Sequence, residues 1–230
     1  MADGTRTINE YTAELHELCN SMARYRAADL NASILQLLPK NGIYVIFEAG
    51  ECAFGLDRIV RIGTHTGNNQ LPSRLKQHFI AQNKDRSVFR KHVGAALLLK
   101  TGDSEHFLPQ WSMDFTTHAS RENPANYYGV TYEAKKREVE AQVTAYMHEC
   151  MSFAVFPVAT KEERLYLEEK LISTLSWCTE CRASAVWLGN FAKSVQIRKA
   201  RLWNVNGVFK DGDTWLNEDD MQNIRRYCGR

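Results

Sequence analysis

Apolar residues recur at helical spacing over residues 9–38, where Tyr11, Leu15, Leu18, Met22 and Tyr25 share a face, and this predicts a helical N-terminal segment. Pro39 and Asn41-Gly42 break the pattern. Period-2 alternation then takes over. Over Gly42 to Phe47, Ile43, Val45 and Phe47 fall on one side and Tyr44 and Ile46 on the other, as in a strand. A loop from Glu48 to Asp57 leads into a second strand, Arg58 to Gly63, and the pair reads as an antiparallel hairpin. Pro72 suits the first turn of a helix running to Ile80, and Ser87 to about Leu99 reads as another.

Residues 101–130 carry Gly, Pro, Asn, Ser and aromatics without a clear period and read as a long insertion or loop. Tyr132 to Cys150 predicts a helix, Ser152 to Pro157 a third strand, and Lys161 to Trp177 a strong helix. From Ser184 the chain mixes loops, short strands and a helix near 216–228. The order implies an α+β fold with a small, mainly antiparallel three-stranded sheet flanked by helices. The expected organisation is an N-terminal helical segment (1–38), a core (39–180) with an insertion at about 101–150, and a C-terminal extension (181–230).

Composition leaves that picture intact. With 44% hydrophobic and 24% charged residues in 230, the chain has material for a core. It has no apolar run of membrane-spanning length and no signal-peptide pattern at Met1 to Glu10, so a cytoplasmic protein with no membrane partner is expected. Six cysteines then read as free thiols. Cys178 and Cys181 have CxxC spacing, but a structural zinc site needs a second ligand pair, and none is clear.

Charge is more informative. Net charge is +2, yet Arg58 to Lys100 holds nine basic residues against the single Asp85. Such a block suits a phosphate-facing surface, with a solvated basic face as the alternative. Lys76, Arg86, Arg90 and Lys91 within it, and Arg198 in the basic-aromatic stretch Gln196 to Trp203, are the candidate DNA contacts. Trp111, Tyr127 and Tyr128 of the insertion are candidates for target recognition.

Three stretches carry candidate chemistry: Gly42-Ile43-Tyr44 on one strand, Arg61-Ile62-Gly63 on its partner followed by Arg74 and His78, and Leu165-Tyr-Leu-Glu168-Glu-Lys-Leu-Ile172. Among the acidic residues of the last helix, Glu168 falls at the centre of the stripe of Leu165, Leu167, Leu171, Ile172 and Leu175, whereas Glu162, Glu163 and Glu169 fall off it. A carboxylate on that side requires an ion pair or a metal. Arg74 and His78, four apart, share a helix face, and an arginine fork suits a phosphate.

In their order and spacing these stretches resemble the GIY-YIG nuclease family over about residues 40–100 and 150–178. The resemblance implies a metal-dependent endonuclease acting on double-stranded DNA. In it Glu168 holds Mg²⁺ or Mn²⁺, Tyr44 activates water, Arg74 stabilises the transition state and His78 assists. Arg61 stands where the family usually has a second tyrosine, which leaves Tyr44 as the base and Arg61 to support it or to contact phosphate. A tyrosine titrates near about pH 10 in water, so this role calls for nearby cations. The family's asparagine after the glutamate helix finds its nearest counterpart in Asn190. A stand-alone chain of this length resembles a restriction-type, sequence-specific enzyme, for which a homodimer is reasonable. The alternatives are a nucleic-acid-binding module with altered catalysis, which the arginine at 61 favours, and a structure-specific repair or RNA nuclease.

Overall fold

The computed structural model describes residues 6–102, 104–113 and 129–229. Helix α1 (Ile8–Asn20) opens with a capping box in which Thr7 and Glu10 satisfy each other's backbone N–H groups. It stops at Ser21, so the predicted helix over 9–38 is not continuous. A two-residue strand β1 (Tyr25–Arg26) and a 3₁₀ turn follow, and Asn31 caps a short helix α2 (Ala32–Leu37). The Asn31 side chain accepts from Ser33 and Ile34, starting a new helix where periodicity had suggested a single one.

Strands β2 (Gly42–Ala53) and β3 (Leu56–Gly63) form the expected hairpin, but β2 runs through the residues predicted as loop. The turn is reduced to Phe54-Gly55, both at positive φ. Strand β4 (Met151–Pro157) lies antiparallel on the other side of β2 and pairs in turn with β1. The sheet therefore has four strands rather than three, in the order β1-β4-β2-β3, with β3 at one edge.

Alternation along β2 sorts the core into two clusters, one on each face of the sheet. Ile43, Val45 and Phe47 pack with α1, with helix α7 (Lys161–Trp177) and with helix α9 (Glu218–Tyr227). Tyr44 and Ile46 pack with helices α3 (Leu71–Phe79), α4 (Val88–Thr101) and α6 (Gly129–Cys150), and with Trp187 and Trp203. Helix α5 (Ser104–Ser112) falls within the predicted insertion. Its Trp111 is fully buried, donates to the Lys91 carbonyl, and sits where a Cβ on Gly94 would come within 2.2 Å of the indole. Trp111 is thus a core residue of the α4–α5 contact and not a recognition residue; Tyr127 and Tyr128 lie outside the described residues.

The segment after α7 carries no strand among the described residues. It forms a 3₁₀ turn (Leu188–Phe191) and a short helix α8 (Val195–Ala200), then returns to the sheet. Its anchors are buried carboxylates of β2. Glu48 accepts from the indoles of Trp187 and Trp203, each at 3.0 Å, and from the Tyr146 hydroxyl, while Glu51 accepts from the Ser184 amide and from Arg58. No described helix is long and apolar enough to cross a membrane.

Candidate active site

The free edge of β3 would leave unpaired N–H and C=O groups. The returning segment satisfies part of it: the Trp203 amide donates to the Val60 carbonyl at 2.7 Å, and the Asn204 side chain pairs with both the amide and the carbonyl of Ile62. Along this edge lies a cleft of about 430 Å³. Arg61, Arg74 and His92 line it from one side of the sheet, Leu165 and Glu168 from the other, with residues 203–207 as its third wall.

Glu168 sits at the flank of the buried face of α7, half-buried, and not at its centre. The reason is Leu165, which the predicted stripe had included but which lines the cleft and is 37% exposed. Oε1 of Glu168 accepts the Thr64 amide at 3.0 Å. Burial raises the carboxyl above its usual range, and Arg61, the Thr64 N–H and Arg74 oppose the rise. The neighbouring Glu169 also borders the cleft, but it is exposed and pairs with Lys210 at 3.2 Å.

Tyr44 is buried to 1% exposure, so it does not project onto an open surface as strand phase alone suggested. It stands opposite Gly63 in the β2–β3 register, and a Cβ at Gly63 would lie 2.1 Å from the phenol oxygen. Glycine at 63 is what admits the ring. The phenol oxygen lies 2.8 Å from His78 Nε2, and His78 Nδ1 lies 2.7 Å from Ser87 Oγ, the cap of α4. Burial, reinforced by Arg74, Arg61 and Arg90, pushes His78 well below its ordinary value, so the ring is neutral. Tyr44 meets Gly63 and Glu168 is bonded to the next residue, Thr64, so phenol and carboxylate flank the same turn of chain from opposite faces of the sheet.

Arg61 continues the Tyr44 face, paired with Ile46. It stacks on Phe89 at 4.7 Å and donates to the Trp203 carbonyl, while its Nε is buried without a hydrogen-bond partner. Arg74 donates to Gln77 and to the Arg86 carbonyl from the cleft rim.

Of the candidate DNA contacts, Lys76, Arg86 and Arg198 are exposed and Lys91 is half-buried. Arg90 is wholly buried: it forms an ion pair with Glu140 at 2.7 Å and donates to the His78 carbonyl and to Thr144. Its role is to tie α3, α4 and α6 together, and it has no surface to offer DNA. Asn190 is exposed, away from the cleft, and fastens its own loop through the Ser184 and Ala185 carbonyls. The asparagines that line the cleft are Asn204 and Asn206, of which Asn204 is bonded to β3. The stretch ending at Trp203 had stopped one residue short of Asn204, and the only sequence signal was the Asn204-Val-Asn206-Gly207 turn beside an aromatic. In the sequence His92 is only one more potential cation of the basic block, since nothing in the pattern of α4 separates it from its neighbours. Burial, with Arg61 and Lys91, lowers its pKa to about 4.

Among the described residues no three His, Cys, Asp or Glu side chains are grouped to hold a metal. A single carboxylate, with one oxygen on a backbone amide, still suits a hard cation that keeps most of its waters and takes a phosphate oxygen. Cys178 and Cys181 stand together with Ala53 in a small buried cluster, the Cys181 amide donating to Cys178 Sγ at 3.3 Å.

Among known families, the GIY-YIG domain model matches residues 4–226 of the chain. No curated protein and no solved structure matches the chain.

Proposed function

The chain belongs to the GIY-YIG domain family, a family of endonucleases, and we propose that it hydrolyses phosphodiester bonds of double-stranded DNA with one Mg²⁺ or Mn²⁺ ion, as a restriction-type, sequence-specific enzyme. The observation that carries this reading is the meeting of Glu168, Arg61 and Arg74 in one cleft at the β3 edge, with the Tyr44–His78 pair directly behind Gly63.

Glu168 is the residue that would hold the ion, through the oxygen not bonded to Thr64. When bound, such an ion neutralises phosphate charge and favours in-line displacement. The chain's own residues supply the remainder. Arg74 and Arg61 meet the non-bridging oxygens and the charge that grows on them. Tyr44, as its phenolate, takes the proton of the attacking water. His78, neutral and with its proton on Nε2, donates to the tyrosine oxygen, while Ser87 Oγ donates to Nδ1 and accepts from the Arg90 amide. Asn204 holds the Trp203–Gly207 wall against β3, and Trp203 aims Arg61. Lys76, Arg86, Lys91 and Arg198 extend the cationic surface beyond the cleft, and cutting both strands calls for two copies of the chain.

The test is plasmid nicking in Mg²⁺ by the parent chain beside Glu168→Ala and Arg74→Ala. Nicking by the parent, lost in both variants and in EDTA, is the expected result. Absence of nicking by the parent across varied DNA refutes catalysis. It would leave the second reading, a DNA-binding module with altered catalysis, which the Arg61 guanidinium bonded to the Trp203 carbonyl favours.

A further inference from the structure

Residues 181–210 contain six basic residues and no aspartate or glutamate, a second cationic run beside that of Arg58 to Lys100. Arg201 is turned inward onto the Ser176 and Cys178 carbonyls, and Lys210 is paired with Glu169. The other four, Arg182, Lys193, Arg198 and Lys199, are exposed, and none has an ion-pair partner among the described residues. Apolar side chains stand out on the same stretch: Val186 is 80% exposed, Val195 47% and Phe191 39%. The usual solvated basic face would not present these.

The segment is also held firmly. Glu51 fixes Ser184, Glu48 fixes Trp187 and Trp203, and a Cβ on Gly189 would strike the Trp187 ring at 2.2 Å. Lys100 of α4 lies over the Phe191 ring at 5.9 Å, adding a cation from the neighbouring helix. The same run of chain then passes directly into residues 203–207, the wall of the cleft. A rigid, acid-free, partly apolar shoulder is thus continuous with the candidate active site.

We propose that this shoulder, formed by the 188–191 turn and α8, receives the DNA duplex on one side of the cleft. Lys193 and Lys199 meet backbone phosphates, and Val186, Phe191 and Val195 lie against sugars and groove edges. The assignment rests on the reading of the cleft as a DNA site and adds where the flanking duplex runs. Positive charge sets affinity through counterion release, and the apolar residues give shape complementarity that a purely electrostatic face lacks.

The experiment measures binding of the full chain to a long DNA duplex in EDTA as a function of salt, for the parent, Lys193→Gln/Lys199→Gln and Arg226→Gln. Arg226 is an exposed cation on α9 and serves as control. Losing two phosphate contacts should flatten the slope of log affinity against log salt by about 2. It should also weaken binding roughly 10-fold at moderate salt. The control should match the parent. An unchanged slope in the double variant overturns the proposal, as does a slope loss seen with duplex RNA and not with DNA. The readout needs no cleavage, so a chain that fails to nick plasmid but shows the slope loss refutes the nuclease reading and supports the shoulder.

Discussion

The tightest constraint in the site is atomic: the Tyr44 phenol occupies the space that a side chain on Gly63 would need. Gly63→Ala would force the ring away from His78, because the β2–β3 register gives the backbone no room to yield. Displacements of about 1 Å at a reacting group cost on the order of 100-fold in rate, and overpacking costs about 1–3 kcal/mol of stability. The variant should therefore fold with a lowered Tm and nick plasmid on the order of 100-fold more slowly. Parental rates would mean that the phenol does not act from this position. Strand alternation made Tyr44 legible, since period 2 separates it from Ile43 and Val45. That Tyr44 is enclosed was not legible, because enclosure comes from α3 and α4, remote in sequence. Glu168 was singled out from its neighbours by helical phase and does line the cleft, yet through a stripe that counted the cleft-lining Leu165 as core. Asn204 was hidden because its place depends on a return path fixed by two indoles on Glu48.

At the scale of elements, buried ion pairs do what periodicity cannot announce. Arg90 looked like one more cation in a basic block, but its guanidinium fastens α4 to α6 through Glu140 and to α3 through the His78 carbonyl. Removing one member of such a pair leaves the other charge uncompensated in the core, at about 3–5 kcal/mol. Arg90→Ala should lower the urea midpoint markedly, whereas Arg86→Ala, at an exposed position, should leave the unfolding free energy within about 0.5 kcal/mol of the parent and the midpoint nearly unchanged. Equal midpoints for the two would refute the structural role. Glu48 plays the same part for the C-terminal segment. Glu48→Ala strands two indole N–H groups and a hydroxyl, each costing about 1–3 kcal/mol when buried and unpaired. Stability should fall and the fluorescence of Trp187 and Trp203 should shift toward the red. Unshifted emission would show that the indoles do not depend on this carboxylate. The long helix expected over 9–38 failed for a related reason: Asn31 spends its side chain on starting α2, a local cap that the apolar period does not see.

For the whole molecule, histidines buried in neutral form couple folding to pH. His16 is fully buried between α1 and β3, donating from Nδ1 to the Thr12 carbonyl and accepting the Ile59 amide at Nε2. Burial lowers its pKa to about 4. The unfolded chain binds this proton below about pH 6.5, while the folded chain resists it until about pH 4. The depressed value therefore contributes stability that is fully present above pH 6.5 and is lost progressively as pH falls toward 4, amounting to about 3 kcal/mol. His92, also lowered to about 4, acts in the same direction. Glu48 and Glu168, raised by burial, act in the opposite one, since protonation relieves their desolvation as pH falls. The raw pH dependence is thus a net of opposing terms, and a difference between two proteins isolates one of them. In urea titrations between pH 7.5 and 4.5, His16→Gln should be less stable than the parent at the upper end, with the gap narrowing toward the lower end as the parent loses the histidine's contribution. A gap that stays constant across that range would mean that the imidazole binds its proton equally well folded and unfolded, which its two hydrogen bonds within the core argue against.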